Sequence, residues 1–530
     1  MTSHPPRRLL LLCALAAGIG LAAGGAAWVL IKLIAILTNL LLFHQWGTTL
    51  PSYATLELGP LVVLTAMAGA TVVTLLARWA PIIRGHGIPE AMDAVLTRRS
   101  RVAPRTAVAK PLSAAVAIGT GGPFGAEGPI IVTGGAIGSL VGQVIHVSAN
   151  ERKILLACGA AAGMAATFGT PLAAVVLAIE LLLFEFSPRG FIPLVVATSV
   201  AGGVHALLLG SGPLFTVPPH DFAGLGQLPL YAALGLACGL LAVVITRGLF
   251  AVEGIFRKLP FGEAWHPIVG ALVWASLGLL VPRALGVGYD VIGDTLAGRL
   301  ALGTLAALCI GKMIIWWIAL ASGTSGGTLA PILIISSTFG ALAGELLVKA
   351  FPGIGISPSA FALVAMAATF GAAARAPFAA IVFLFELTRD YNAMLPLMLA
   401  AVLADLVART LLEHSIMTEK LARRGVAVPS AFHVDPLRTS TVADVMTTDV
   451  VAVPSDATPC RSADTLHAAL NRMTEEGVDH LPVVDKGGVL VGTLSRADIL
   501  RARIRQQDLE RGEHGWLTRR RVAAPRVTGP

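Results

Sequence analysis

Apolar stretches long enough to cross a bilayer, about 20 residues each, recur along this chain at roughly 9–42, 58–80, 107–147, 154–184, 190–210, 228–252, 266–282, 299–320, 329–351 and 359–412, and then stop. With 55% hydrophobic and only 13% charged residues, and a mean hydropathy of +0.77, the chain lies outside the range of a water-soluble globule. It reads as an integral membrane protein. Its 57 glycines and 32 prolines interrupt these stretches, so many helices must be short, tilted or broken. Backbone groups freed at each break then need partners inside the protein. The expected fold is an all-α polytopic bundle of tilted, broken helices rather than a set of straight spans.

Basic clusters set the expected topology. Arg7 and Arg8 precede the first stretch, whose apolar run continues to Phe43, too far for a cleaved secretory signal. Arg98, Arg99, Arg101 and Arg105 follow the second hairpin, and Arg423 and Arg424 follow the last helix. The positive-inside rule places all three clusters in the cytoplasm, and with them the N-terminus and the C-terminal segment, as for a bacterial inner or plasma membrane. The net charge of +8 then reflects topology and contact with lipid, and no nucleic-acid partner is expected. Cys13, Cys158, Cys238, Cys309 and Cys460 have no metal or redox spacing. An intramembrane metalloprotease is disfavoured by the lack of an HExxH motif, and neither enzymatic activity nor a bound metal is expected.

The membrane part is duplicated. AATFG occurs at 165–169 and again at 367–371, and the same offset of 202 pairs Pro129 with Pro331, Gly138 with Gly340 and Gly142 with Gly344. After a four-residue insertion, PLAAVVLAIEL from Pro171 matches PFAAIVFLFEL from Pro377, so Glu180 pairs with Glu386. Two repeats are expected, at about 58–210 and 228–412. Paired, Gly/Pro-broken helices in related halves point to a transporter whose site lies where half-helices meet. The duplication alone leaves open whether the halves are parallel or inverted.

Three loops share one design: GHGIPE at 85–90, GAEGP at 125–129 and SGTSGGTLAP at 322–331. Each has glycines that permit a tight turn, then a proline suited to the first turn of a helix, then an apolar run. The helix starts, with unpaired N–H groups and a positive dipole end, would form a dry cage that favours a small anion. Partial charges of about half a unit per helix end hold an anion without trapping it, which suits permeation. Glu127 sits at one such start. Ionised, it can take the anion's place; protonated, it loses that attraction and leaves. It is the candidate gate, the alternative being a capping acid at a helix start.

These residues resemble the CLC family of chloride channels and proton-coupled chloride antiporters, over roughly residues 20–425. The resemblance implies inverted halves, a homodimer with one anion pathway per subunit, and Glu127 as gating glutamate. It also implies anion contacts from Gly85, His86, Gly87, Ile88 and Pro89, from Gly125 and Gly128, from the loop Gly327–Pro331 with Thr328 and Leu329, and from Met417. His86 stands where the family usually has a serine, Met417 where it usually has a tyrosine, and Thr328 and Leu329 where it has a bulkier apolar pair. A histidine lining the pathway would make flux depend on acidity, because its charge changes near pH ~6.5. Leu181 occupies the position of the inner proton-relay glutamate, just after Glu180, which by itself points to a chloride channel. The alternative is an antiporter with a non-standard proton path through Glu180 or Glu185, the latter expected one helical turn beyond Leu181 on the same face. Glu180 and Glu386 have a structural alternative, as acids bonded to backbone or to Arg375. Asp405 and Arg409, four apart, are expected to pair.

After residue 425 the composition changes. Residues 426–438, beginning VAVPSAFHVDP, read as a linker and 439–505 as a small α/β module. DVVAV, HLPVVD and VLVGTLS are its expected strands, and ADTLHAALNRMTEEG and RADILRARI its helices. The segments TVADVMTTDVVAV and HLPVVDKGGVLVGTLSRADIL resemble a CBS motif. Such motifs pack in pairs, which implies a partner module from a second subunit. No cofactor is required, but the resemblance raises an adenine nucleotide as a candidate ligand, with Ser495 and Asp498 at the ribose spacing. S-x-x-D before an apolar run is equally a capping box. Residues 506–530, with Arg519, Arg520 and Arg521, read as a basic, disordered tail suited to anionic lipid. A CBS-regulated divalent-cation transporter is a remote alternative, since glycine loops outnumber acids at the helix breaks.

Overall fold

The computed structural model describes residues 6–56, 59–145, 147–218, 225–426, 428–429, 437, 440–448, 458–485 and 487–502. The DVVAV strand at 449–453, most of the 426–438 linker and the 506–530 tail lie outside these residues. The chain divides into two compact units, at Met1–Ala431 and Phe432–Pro530.

The first unit is helical throughout and duplicated helix by helix. In chain order, α1 (Pro6–Leu42) corresponds to α9 (Leu228–Phe256), α2 (Pro60–Trp79) to α10 (His266–Gly278), and α3 (Ile88–Thr97) to α11 (Tyr289–Leu296). Then α4 (Pro104–Gly119) corresponds to α12 (Leu302–Ala321), α5 (Glu127–Val144) to α13 (Leu329–Ala350), and α6 (Ala149–Phe168) to α14 (Pro358–Ala374). Last, α7 (Pro171–Ala178, prolonged by a π turn over Ile179–Leu183) matches α15 (Pro377–Thr388), and α8 (Pro188–Leu208) matches α16 (Met394–Leu411). The first repeat therefore begins with α1, not near residue 58. Packing repeats as well: α1 lies on α6 and α8 as α9 lies on α14 and α16, and α5 lies on α6 as α13 lies on α14.

Among the described residues, seven helices are long and apolar enough to span a bilayer. Others are not. α3 has 10 residues, about 15 Å at 1.5 Å per residue, and α11 has 8. Such helices must begin or end inside the protein, which is where the Gly/Pro loops place their starts. Close packing makes this affordable. A Cβ on Gly134 would overlap the Gly159 carbonyl and one on Gly159 the Gly134 carbonyl, so α5 and α6 approach to backbone contact.

The relation between the halves is read from two acids. Glu386, near the end of α15, accepts hydrogen bonds from the amides of Leu172 (3.0 Å) and Ala173 (2.7 Å) at the start of α7. Glu180, near the end of α7, accepts from Ala379 N (2.9 Å) at the start of α15. Each acid caps the helix that carries the other. The two helices therefore run antiparallel, as a two-fold axis in the membrane plane requires: the repeats are inverted. Arg375 takes no part, its guanidinium donating instead to the Leu412 carbonyl. Asp405 and Arg409 pair as expected, at 2.6 Å.

The second unit has a three-stranded sheet in the order β1 (Cys460–Arg461), β2 (His480–Val484), β3 (Leu490–Ser495), with β1 parallel and β3 antiparallel to β2. β1 was not expected. Helices at Leu466–Glu476 and 496–502 cover an apolar core that includes Val442, Cys460, Met473, Leu481, Leu494 and Ile499.

Glu180→Ala strands the buried Ala379 amide, a loss of about 1–3 kcal/mol. A lower unfolding temperature in detergent is expected, with Glu180→Gln close to wild type because it keeps an acceptor oxygen.

Candidate functional site

The three loops converge. Gly327 N donates to Gly125 O at 2.9 Å and Gly125 N to Gly327 O at 3.4 Å, joining the start of α5 to that of α13. A further bridge joins Gly85 to Ser325, and Ser113 Oγ donates to Ser325 Oγ at 3.0 Å. Gly85 and Gly87 have φ of 104° and 103°, open to glycine and strained for other residues. A Cβ on Gly87 would overlap the Gly128 carbonyl, and one on Gly128 the His86 carbonyl, so α3 and α5 begin in backbone contact. Neither α5 nor α13 has a side-chain cap from its N-cap residue, Ala126 and Thr328 respectively. At α3, by contrast, Glu90 accepts from Gly87 N at 2.6 Å.

A fourth loop joins them. Gly286-Val287-Gly288-Tyr289 leads into α11, and Gly286 N donates to Gly121 O at 3.0 Å. It is the repeat counterpart of the 85–88 loop and was missed because Tyr289-Asp290 replaces the Ile-Pro pair. Two buried lysines, also missed, brace the matched loops. Lys110 Nζ donates to Ile83 O (2.7 Å) and Gly85 O (2.9 Å). Lys312 Nζ donates to Ala284 O (3.0 Å) and Gly286 O (2.8 Å). Both are 0% exposed and 202 residues apart, the repeat offset. Each Nζ is thereby tied to two carbonyls of its own loop, which holds the turn before the helix start in place.

Glu127 is 1% exposed in the first turn of α5. Its Oε1 accepts from the Tyr289 hydroxyl at 2.7 Å, and its Oε2 lies against Gly125 and Gly327. The amides of Glu127 and Ala330 face the carboxylate, but Oε2 has no partner in hydrogen-bond geometry among the described residues. Ile88, Pro89, Gly128, Gly327, Thr328 and Leu329 are also buried. His86 is 1% exposed, and neither ring nitrogen has a hydrogen-bond partner among the described residues. A buried, unbonded imidazole is costly unless a ligand supplies the partner. Met417 is 0% exposed and is the residue before α17 (Glu419–Arg423) by two positions.

Glu185 is not where its helical spacing placed it. α7 ends in its π turn and Phe184 has φ 56°, so Glu185 is off the helix rather than one turn beyond Leu181. It is surface-exposed and paired with Lys153 at 3.4 Å. In the second unit, Ser495 Oγ donates to Asp498 Oδ2 at 2.6 Å and accepts from Asp498 N at 3.1 Å. The pair is a helix cap.

Residues 68–409, more than half of the chain, match the model of the voltage-gated chloride channel family. The chain belongs to that family. This CLC protein is an integral membrane anion transporter, and residues 442–505 match the CBS domain model. It is 32% identical over 356 residues to an H(+)/Cl(-) exchange transporter ClcA of Vibrio campbellii, covering 66% of this chain and 76% of the relative. It is 28% identical over 350 residues to a ClcB-like protein of Ralstonia nicotianae, named for a chloride channel, covering 65% of this chain and 81% of that one. Among solved structures, a slow cyanobacterial Cl-/H+ antiporter superposes with a TM-score of 0.69 at 25% identity, over 80% of this chain and 99% of the antiporter.

His86→Ala removes a buried ring whose nitrogens have no hydrogen-bond partner among the described residues, and so tests whether an anion supplies that partner. Chloride binding measured by titration calorimetry in detergent is expected to weaken by about tenfold, with the fold unchanged.

Proposed function

We propose that this chain exchanges chloride for protons, with Glu127 as the group both ions compete for. One observation carries the reading: a buried carboxylate lodged where four helix-start loops meet, against the Gly125–Gly327 bridge. An acid is costly at that depth, and helix starts there attract any small anion. Ionised, the side chain fills the anion's place. Protonated, it gives way to chloride, so each proton taken up is tied to a halide admitted. No bond is made or broken in the substrate, and the protein acts without enzymatic catalysis.

The exchange transporters among its relatives support this reading over a channel. The channel remains the second reading because of Leu181. That side chain is 4% exposed and cannot carry a proton, and Glu180 is engaged in capping α15. In the exchange reading the inner leg is water-borne, past Leu181 toward Glu185 at the surface.

The active form would be a homodimer in lipid with one pathway per subunit, the N-terminus and CBS module cytoplasmic and the module paired with its copy. An adenine nucleotide at that module would have to displace the Ser495–Asp498 bond.

Reconstitution in liposomes tests the reading. A chloride gradient is expected to drive protons uphill, and Glu127→Ala to keep chloride flux while abolishing proton movement. Brisk chloride flux in the wild type without proton pumping would establish the channel instead.

A further inference from the structure

We propose that Tyr289 is the latch of the gate: its hydroxyl holds the Glu127 carboxylate closed and so sets how readily chloride displaces it. The inference rests on the reading of Glu127 as gate and assigns a positioning residue to it. Among the described residues Tyr289 is the single side chain that hydrogen-bonds the carboxylate, at 2.7 Å, and Oε2 has no partner in hydrogen-bond geometry.

The hydroxyl is aimed independently of the acid. Tyr289 opens α11 directly after Gly288 (φ 77°), and Lys312 pins the preceding turn through the carbonyls of Ala284 and Gly286. Its ring is held edge-on by Phe168 (centroids 6.1 Å apart) and Phe215 (6.3 Å), and Phe168 in turn packs on Phe383 at 5.0 Å. Backbone brace and aromatic clamp therefore hold the Tyr289 ring in place beside Glu127, which lowers the ordering cost of the bond.

The place of the bond fits a latch. A cavity of about 320 Å³ is lined by Ile34, His205, Leu214, Val287, Tyr289 and Ala126, the residue before the gate. Tyr289 thus stands between this space and the buried carboxylate. His205 is already engaged, through Nδ1 and the Ala166 carbonyl at 2.7 Å, which leaves the tyrosine as the partner of the acid. An O–H donated to a carboxylate is among the stronger hydrogen bonds, and chloride must break it to take the position.

Tyr289→Phe removes the hydroxyl and keeps the ring contacts. Chloride flux and coupled proton movement in liposomes and chloride binding in detergent are measured for wild type, Tyr289→Phe, Glu127→Ala and the double variant, each confirmed folded by its elution and unfolding temperature. Tyr289→Phe is expected to raise flux and tighten chloride binding, each by up to about tenfold, and to change neither once Glu127 is alanine. Unchanged or lowered flux in Tyr289→Phe overturns the latch, as does an equal change with and without the carboxylate. If Glu127→Ala itself leaves proton coupling intact, the gate reading falls first. If Glu127→Ala uncouples while Tyr289→Phe matches wild type, the latch alone falls.

Discussion

A helix that starts inside a membrane protein brings amides that neither lipid nor its own turns can satisfy, and this constraint organises the whole transport unit. The loops before α3, α5, α11 and α13 meet because each supplies what another lacks. Gly125 and Gly327 exchange two hydrogen bonds, Gly85 bridges Ser325, and Gly286 leans on Gly121. Glycine is required where backbones touch: at Gly87 and Gly128 a methyl group would occupy a neighbouring carbonyl. What remains is a buried meeting of helix starts, with α5 and α13 uncapped by their N-cap side chains.

The proposed exchange then depends on partial rather than full charges at the helix starts. Lys110 and Lys312 each donate from Nζ to two loop carbonyls, so they fix the loops that carry the helix starts. In the proposed pathway an anion would meet dipoles of partial charge, strong enough to replace part of its hydration and weak enough to release it. In the exchange reading a carboxylate competes there with chloride. Glu127 is placed to do so.

Much of this was legible in the residues. The AATFG repeat, the three Gly/Pro loops and the lone acid in GAEGP are local signals, and the structure keeps each where its chemistry needs it. The fourth loop was disguised, since GVGYD shares only its glycine spacing with GHGIP, and Lys110 and Lys312, though 202 residues apart, carry no motif of their own. The exchanged caps of Glu180 and Glu386 have no local signature at all, because antiparallel packing of α7 on α15 creates them. Glu185 was misplaced for a physical reason: a π turn and the left-handed Phe184 end the helix that a 3.6-residue period would have continued. The pairing of α1 with α9 was hidden by unequal length, 37 residues against 29.

The account depends on a halide sitting where the helix starts meet. Bromide, which scatters anomalously and substitutes for chloride, locates it directly in crystals of the wild-type protein and of Glu127→Gln. The account predicts bromide among the starts of α3, α5 and α13 beside His86, with a second peak at the carboxylate position when the side chain is neutralised. Bromide confined to the protein surface, or the same single peak in both proteins with the Glu127 position never occupied, would contradict it.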